Sequence, residues 1–159
     1  MSDRSLSQRK SFGRSIGLSA QHAGLLARLN TAHKIQDYLD SLGINFEPDG
    51  DTCYGVSRTL TEGKAHCIEA AFIGACALWM AGEKPLVMDF QAHNDYDHVV
   101  ALYKYKGHWG AISKSNHIWL RWRDPIYRSL RELALSYFHE YVTGPRKTLR
   151  TYSAPYDMS

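Results

Sequence analysis

The chain is poor in cysteine, and the little it has follows no pattern. Cys53, Cys67 and Cys76 are its 3 thiols in 159 residues, and no C-x-x-C pair occurs. An odd, unpatterned set excludes a disulfide framework and a four-cysteine zinc site. Free thiols suit a reducing compartment, so a cytoplasmic protein is expected. Long hydrophobic runs are missing as well: none approaches the roughly 20 apolar residues that cross a bilayer, and Met1–Gly17 lacks the apolar centre of a secretory signal. No membrane partner is expected. Nor does one sign of charge dominate. The 19 Lys and Arg against 16 Asp and Glu leave a net charge of +3, short of the basicity that argues for nucleic acid. The clusters at Arg4–Arg14, Arg121–Arg131 and Arg146–Arg150 read as solvated surface, and nucleic-acid binding through a basic arm is the weakest functional reading. There is no internal repeat and no low-complexity segment.

What is present is enough apolar residue, 44%, to bury a core in one domain. The expected organisation is a flexible basic arm over residues 1–18, a single domain over 19–145 and a tail over 146–159. Ser19 is placed to cap a helix over Ala20–Leu42, where Leu25, Leu26, Leu29, Ala32, Ile35, Leu39 and Leu42 form one stripe that Gly43 ends. Thr52–Gly63 reads as loop, or as a short strand at Cys53–Arg58 followed by a turn. Cys67–Ala81 is expected to be a helix with almost no polar face, buried on most sides. Strand-like runs follow at Pro85–Gln91, Asp97–Tyr105 and His108–Ser113, and Lys106-Gly107 is a tight-turn signal that makes the last two a hairpin. A final helix is expected over Ile126–Tyr141, with Pro125 at its start. A buried helix followed by a meander argues α+β: a helix packed on a small antiparallel sheet, flanked by N- and C-terminal helices.

The chemistry concentrates at Gly63-Lys64-Ala65-His66-Cys67-Ile68-Glu69. A thiol in the first turn of a helix feels the positive end of the dipole and unpaired backbone N–H groups, and both favour the reactive thiolate. A thiol nucleophile needs a base. His98, at the start of a strand, is the best placed histidine, because its ring can stand at the mouth of the sheet. Counting through the hairpin brings Ser113 roughly opposite His98, with Lys114 and Asn116 close behind. Ser113 or Asn116 can share a hydrogen bond with the imidazole, though neither stabilises its cation as a carboxylate does. The Cys67 N–H is a candidate oxyanion donor. His66, Trp109 and Arg121 are candidate substrate contacts. Asp95, Asp97, His93 and His98 could be read as metal ligands, but their spacing matches no standard metal loop, and a polar turn is the simpler account. No metal or cofactor is expected.

This arrangement resembles the transglutaminase-like branch of the papain-like cysteine enzymes. Cys67, Glu69, Ala70 and Ala71 stand on that family's helix motif, His98 on its histidine motif, and Gly107-His108-Trp109 on its Gly-x-Trp turn. The resemblance covers about Thr52–Ser115. It carries the family's aspartate onto Ser113, and Ala65 stands where a glycine is often found. What the resemblance implies is a papain-like fold with a Cys67–His98 site for acyl transfer from, or hydrolysis of, a peptide or protein amide. The replaced acidic position implies the alternative of an inactive module that binds a peptide or protein partner.

Overall fold

The computed structural model describes residues 4–48 and 50–159; Met1–Asp3, at the tip of the expected arm, and Asp49 lie outside them. The architecture mixes helices and sheet and is compatible with the α+β class. Helices α1 (Leu6–Ser15), α2 (Ala20–Leu26), α3 (Ala32–Ser41) and α4 (Val56–Glu62) precede the apolar α5 (Cys67–Met80). Short strands β1 (Gly43–Ile44) and β2 (Lys64–Ala65) pair in parallel just before α5. The main sheet follows: β3 (Leu86–Ala92), β4 (His98–Tyr105), β5 (His108–Ile112) and β6 (Trp122–Tyr127). Helix α6 (Leu130–Phe138) and strands β7 (Val142–Thr143), β8 (Arg146–Lys147), β9 (Leu149–Tyr152) and β10 (Tyr156–Asp157) complete the chain. The sheet is antiparallel in the order β10-β3-β4-β5-β6, with β9 also on β3.

Strand β4 explains the layering. Ala101 and Tyr103 face a core made with α2, α3 and α5, while Val100 and Leu102 face a second core with Leu133, Ala134 and Tyr137 of α6. A strand covered on both faces reads as an unbroken apolar run, which is what HVVALY is. Helix α5 lies directly on β4. A Cβ added at Gly74 would come within 3.0 Å of Ala101 Cβ, so the missing side chain sets the close approach. The β4–β5 turn has positive φ at both Lys106 (48°) and Gly107 (81°), the geometry a two-residue hairpin requires.

Several expectations need correction. The Ala20–Leu42 stripe is broken into α2 and α3, because Thr31 caps a new helix by accepting the Lys34 N–H. The Cys53–Arg58 region contributes to α4, not to a strand; Gly55 opens that helix and Gly63 closes it with φ of 67°. Pro125 lies within β6, an edge strand with an irregular register against β5, where a missing N–H costs no ladder bond. Ser129 then caps a shorter α6. The arm expected over residues 1–18 contains α1, capped by a reciprocal Ser5–Gln8 box. Phe12 packs edge-on against Trp79 at 5.0 Å, and Arg4 donates to the Trp79 carbonyl at 2.8 Å. The expected tail over 146–159 supplies β9 and β10, which cover what would otherwise be the open edge of β3.

Candidate functional site

Cys67 is the first residue of α5, and His66 before it has the extended backbone of an N-cap. His98 is the first residue of β4. Because α5 packs on β4, the helix start and the strand start meet, and they do so at one end of a cleft of about 630 Å³. The cleft is walled by the Ile44–Glu47 segment, the Asp95–Asp97 turn, the Lys114–His117 segment with Trp119 and Leu120, and the Glu140–Thr143 segment that follows α6. The Cys67 sulfur lies 4.0 Å from the Asp97 carbonyl.

Burial by itself would push the Cys67 thiol up. Hydrogen bonds from the His66 and His98 rings, the field of His98 and the Val99 N–H outweigh it and bring the thiol down to about 6. The other cysteines differ. Cys76, in the middle of α5, is pushed up to about 11 by burial, and Cys53 is exposed on a loop.

The His98 ring is buried and held at Nε2, 3.1 Å from Ser113 Oγ and 3.0 Å from the Leu120 carbonyl. The Ser113 hydroxyl donates to the Arg121 carbonyl at 2.6 Å, with the Leu120 carbonyl at 2.9 Å. Its lone pairs therefore face the imidazole. With acceptors around Nε2, that nitrogen carries the proton, and Nδ1 is left for the thiol. The register Ala101↔Ile112 puts Ser113 diagonally across from His98 on the same face of the sheet. Gln36 of α3 fixes the Ser113 backbone, donating to its carbonyl at 2.8 Å and accepting its N–H at 3.1 Å. The position opposite the imidazole is thus tuned for a hydroxyl. A carboxylate there would meet two carbonyls without a proton to offer them. Ser113→Asp is expected to destabilise the protein by about 2–3 kcal/mol and Ser113→Ala by about 1 kcal/mol, measured by urea denaturation.

Of the residues singled out from sequence, Cys67, His98, Ser113 and His66 come together. Asn116 lines the cleft but is exposed, and the ring nitrogen it was expected to orient is already taken by Ser113 and Leu120. Trp109 is not part of the cleft wall; its ring lies under the Lys104 ammonium at 4.1 Å. Arg121 also points elsewhere, pairing with Asp40 at 3.0 Å and donating to the Ser115 carbonyl. The acidic turn after β3 holds itself together: Asp95 accepts from Thr143 and Thr148, and Asp97 from the Ala92 N–H. Among the described residues no three His, Cys, Asp or Glu side chains converge as a metal site would require.

Two features escaped the sequence reading. The Leu120 carbonyl is backbone and leaves no trace in residue identity. Glu69 did leave one, as the lone charge in an otherwise apolar helix. It is fully buried, accepting from Thr52 Oγ1 at 2.9 Å, Tyr54 N at 3.1 Å, His66 N at 3.1 Å and Asn45 Nδ2 at 3.2 Å. These bonds tie Asn45, Thr52 and Tyr54 to the start of α5 beside Cys67.

The sequence matches no protein-family model and no curated protein. Among solved structures, that of LapG from Legionella pneumophila, EGTA-treated, superposes with a TM-score of 0.46, covering 76% of this chain and 79% of that one at 10% identity. No helix among the described residues is long and apolar enough to cross a membrane.

Proposed function

We propose that this chain is a cysteine-dependent enzyme of transglutaminase-like, papain-like type that transfers or hydrolyses the acyl group of a peptide or protein amide. Cys67 is the nucleophile, and His98 exchanges protons with the leaving amine and the incoming acceptor. Ser113 and the Leu120 carbonyl position the His98 ring, taking the place of the family's acidic residue. What carries this reading is a helix-N-terminal thiol sharing one cleft with a buried imidazole whose Nε2 is already committed, and the thiol is held low in that setting. The Cys67 N–H, an orphan donor of the first helical turn, is available to an oxyanion.

The test is competitive alkylation with iodoacetamide near neutral pH, read by peptide mapping. Cys67 should react faster than Cys53, which is exposed, and far faster than Cys76, which is buried. Equal rates at Cys53 and Cys67 would remove the reading. A second reading, a non-catalytic module that binds a peptide in the same cleft, is favoured by the neutral group at Ser113. It predicts peptide binding without turnover.

A further inference from the structure

Cys67 has two imidazoles as neighbours, and the two are held differently. On the His98 side, the far nitrogen meets neutral acceptors, Ser113 Oγ and the Leu120 carbonyl. On the His66 side, Nε2 lies 2.9 Å from the Thr52 carbonyl, 3.4 Å from Glu47 Oε1 and 3.5 Å from Glu69 Oε1. A ring nitrogen facing a carbonyl and two carboxylates keeps its proton, and the nearby negative charges favour the cation. Glu69 cannot turn away, since Thr52, Tyr54, Asn45 and the His66 N–H all donate to it. The His66 ring is in hydrogen-bond contact with the Cys67 thiol next to it in the chain. The carboxylate that the sequence withholds from His98 is therefore present beside the other imidazole, His66.

We propose that His66 takes and holds the Cys67 proton, so that the working thiolate is paired with an imidazolium supported by Glu47 and Glu69, and His98 is left to move protons during acyl transfer. This rests on Cys67 being the nucleophile. The Cys67 S–H bond breaks, its electron pair stays on sulfur, and the proton passes to the His66 nitrogen not engaged by Thr52. The electrostatics agree with the geometry: the hydrogen bond to Cys67, opposed by burial and aided by the Thr52 carbonyl and the charges of Glu69 and Cys67, raises His66 to about 9. The titratable neighbours of this pair are Glu47 on the loop after β1, Glu69 on α5, Asp97 and His98 at the start of β4, and Tyr141 in the cleft wall.

The experiment titrates Cys67 through its alkylation rate from about pH 5 to about pH 10, in the intact chain and in His66→Gln, Glu47→Gln and His98→Gln. The intact chain should show its inflection near 6. His66→Gln should move it up by about two pH units, lowering the rate at about pH 7 roughly tenfold. Glu47→Gln should shift it less, in the same direction, and so guards against a folding defect in the first variant. An unchanged inflection in His66→Gln, or a larger shift in His98→Gln, overturns the proposal. So does an intact chain whose Cys67 titrates like an ordinary thiol. Since no substrate is involved, a chain that behaves as expected here but turns over no amide removes the enzyme reading and leaves His66 in its role.

Discussion

His98→Ala should lower hydrolysis of a peptide p-nitroanilide by about 10²–10⁴-fold, the range for losing a positioned acid–base group, and Cys67→Ser should abolish it. The loss should fall on kcat more than on KM, because the ring is buried and offers little surface to a bound ligand. Amide cleavage exposes the role of His98 well, since an amine leaves only when it receives a proton. Iodoacetamide needs no such proton, so His98→Ala should affect alkylation of Cys67 much less than it affects turnover. The ring packs beside the Phe90–Tyr137 pair, with centroids at 6.5 and 6.1 Å. Its removal is expected to cost about 1–2 kcal/mol of stability, a control read in the same preparation. An intact chain that binds peptides tightly and cleaves none would select the binding module instead.

Glu69→Ala should have the largest effect on stability, about 3–4 kcal/mol, measured by urea denaturation. The substitution leaves the Tyr54 and His66 N–H groups and the Asn45 and Thr52 side chains facing a cavity instead of an acceptor. Glu69→Gln keeps the volume but still costs about 2 kcal/mol, because its NH₂ must point at groups that only donate or are already donating. The pH dependence has a definite sign. Burial would raise the Glu69 carboxyl, but the Tyr54 N–H, Asn45, the His66 N–H and Thr52 together hold it below its ordinary value of 4.5. A depressed carboxylate stabilises the fold fully above that ordinary value. Its contribution is lost as the pH falls through the folded-state value, so the acid limb of the stability profile should flatten in Glu69→Gln. A local consequence should accompany the global one: the backbone at Thr52–Tyr54, released from α5, should become the first site of proteolysis.

How much of this was legible from residues alone follows the range of each interaction. The α5 helix, the hairpin turn at Lys106-Gly107 and the run of strands were readable, because periodicity, small apolar residues and turn chemistry act within a few positions. The pairing of His98 with Ser113 was readable for the same reason, since a short hairpin fixes its own register. The break between α2 and α3 was written in Asn30-Thr31, but the continuous leucine stripe outvoted a single cap. Pro125 misled because its preference for a helix start is local, whereas its place at a sheet edge is decided by what lies beside it. The roles of the two chain ends were invisible for a similar reason: nothing within Arg146–Tyr152 says that β3 needs a partner.

Residue order was enough to say that a thiol opens a buried helix, that a histidine opens a strand, and that a hydroxyl stands near that histidine. How those groups are served was settled by packing in three dimensions. It brought a backbone carbonyl from the turn at Leu120 to the His98 ring, and it set Glu47 and Thr52, from an earlier loop, around the His66 ring. Charge and hydrogen bonding act through space over a few ångströms, and the chain order of the residues involved places no limit on which of them meet. That is why the carboxylate support was missed at Ser113, where sequence order looked for it, and is found instead beside His66.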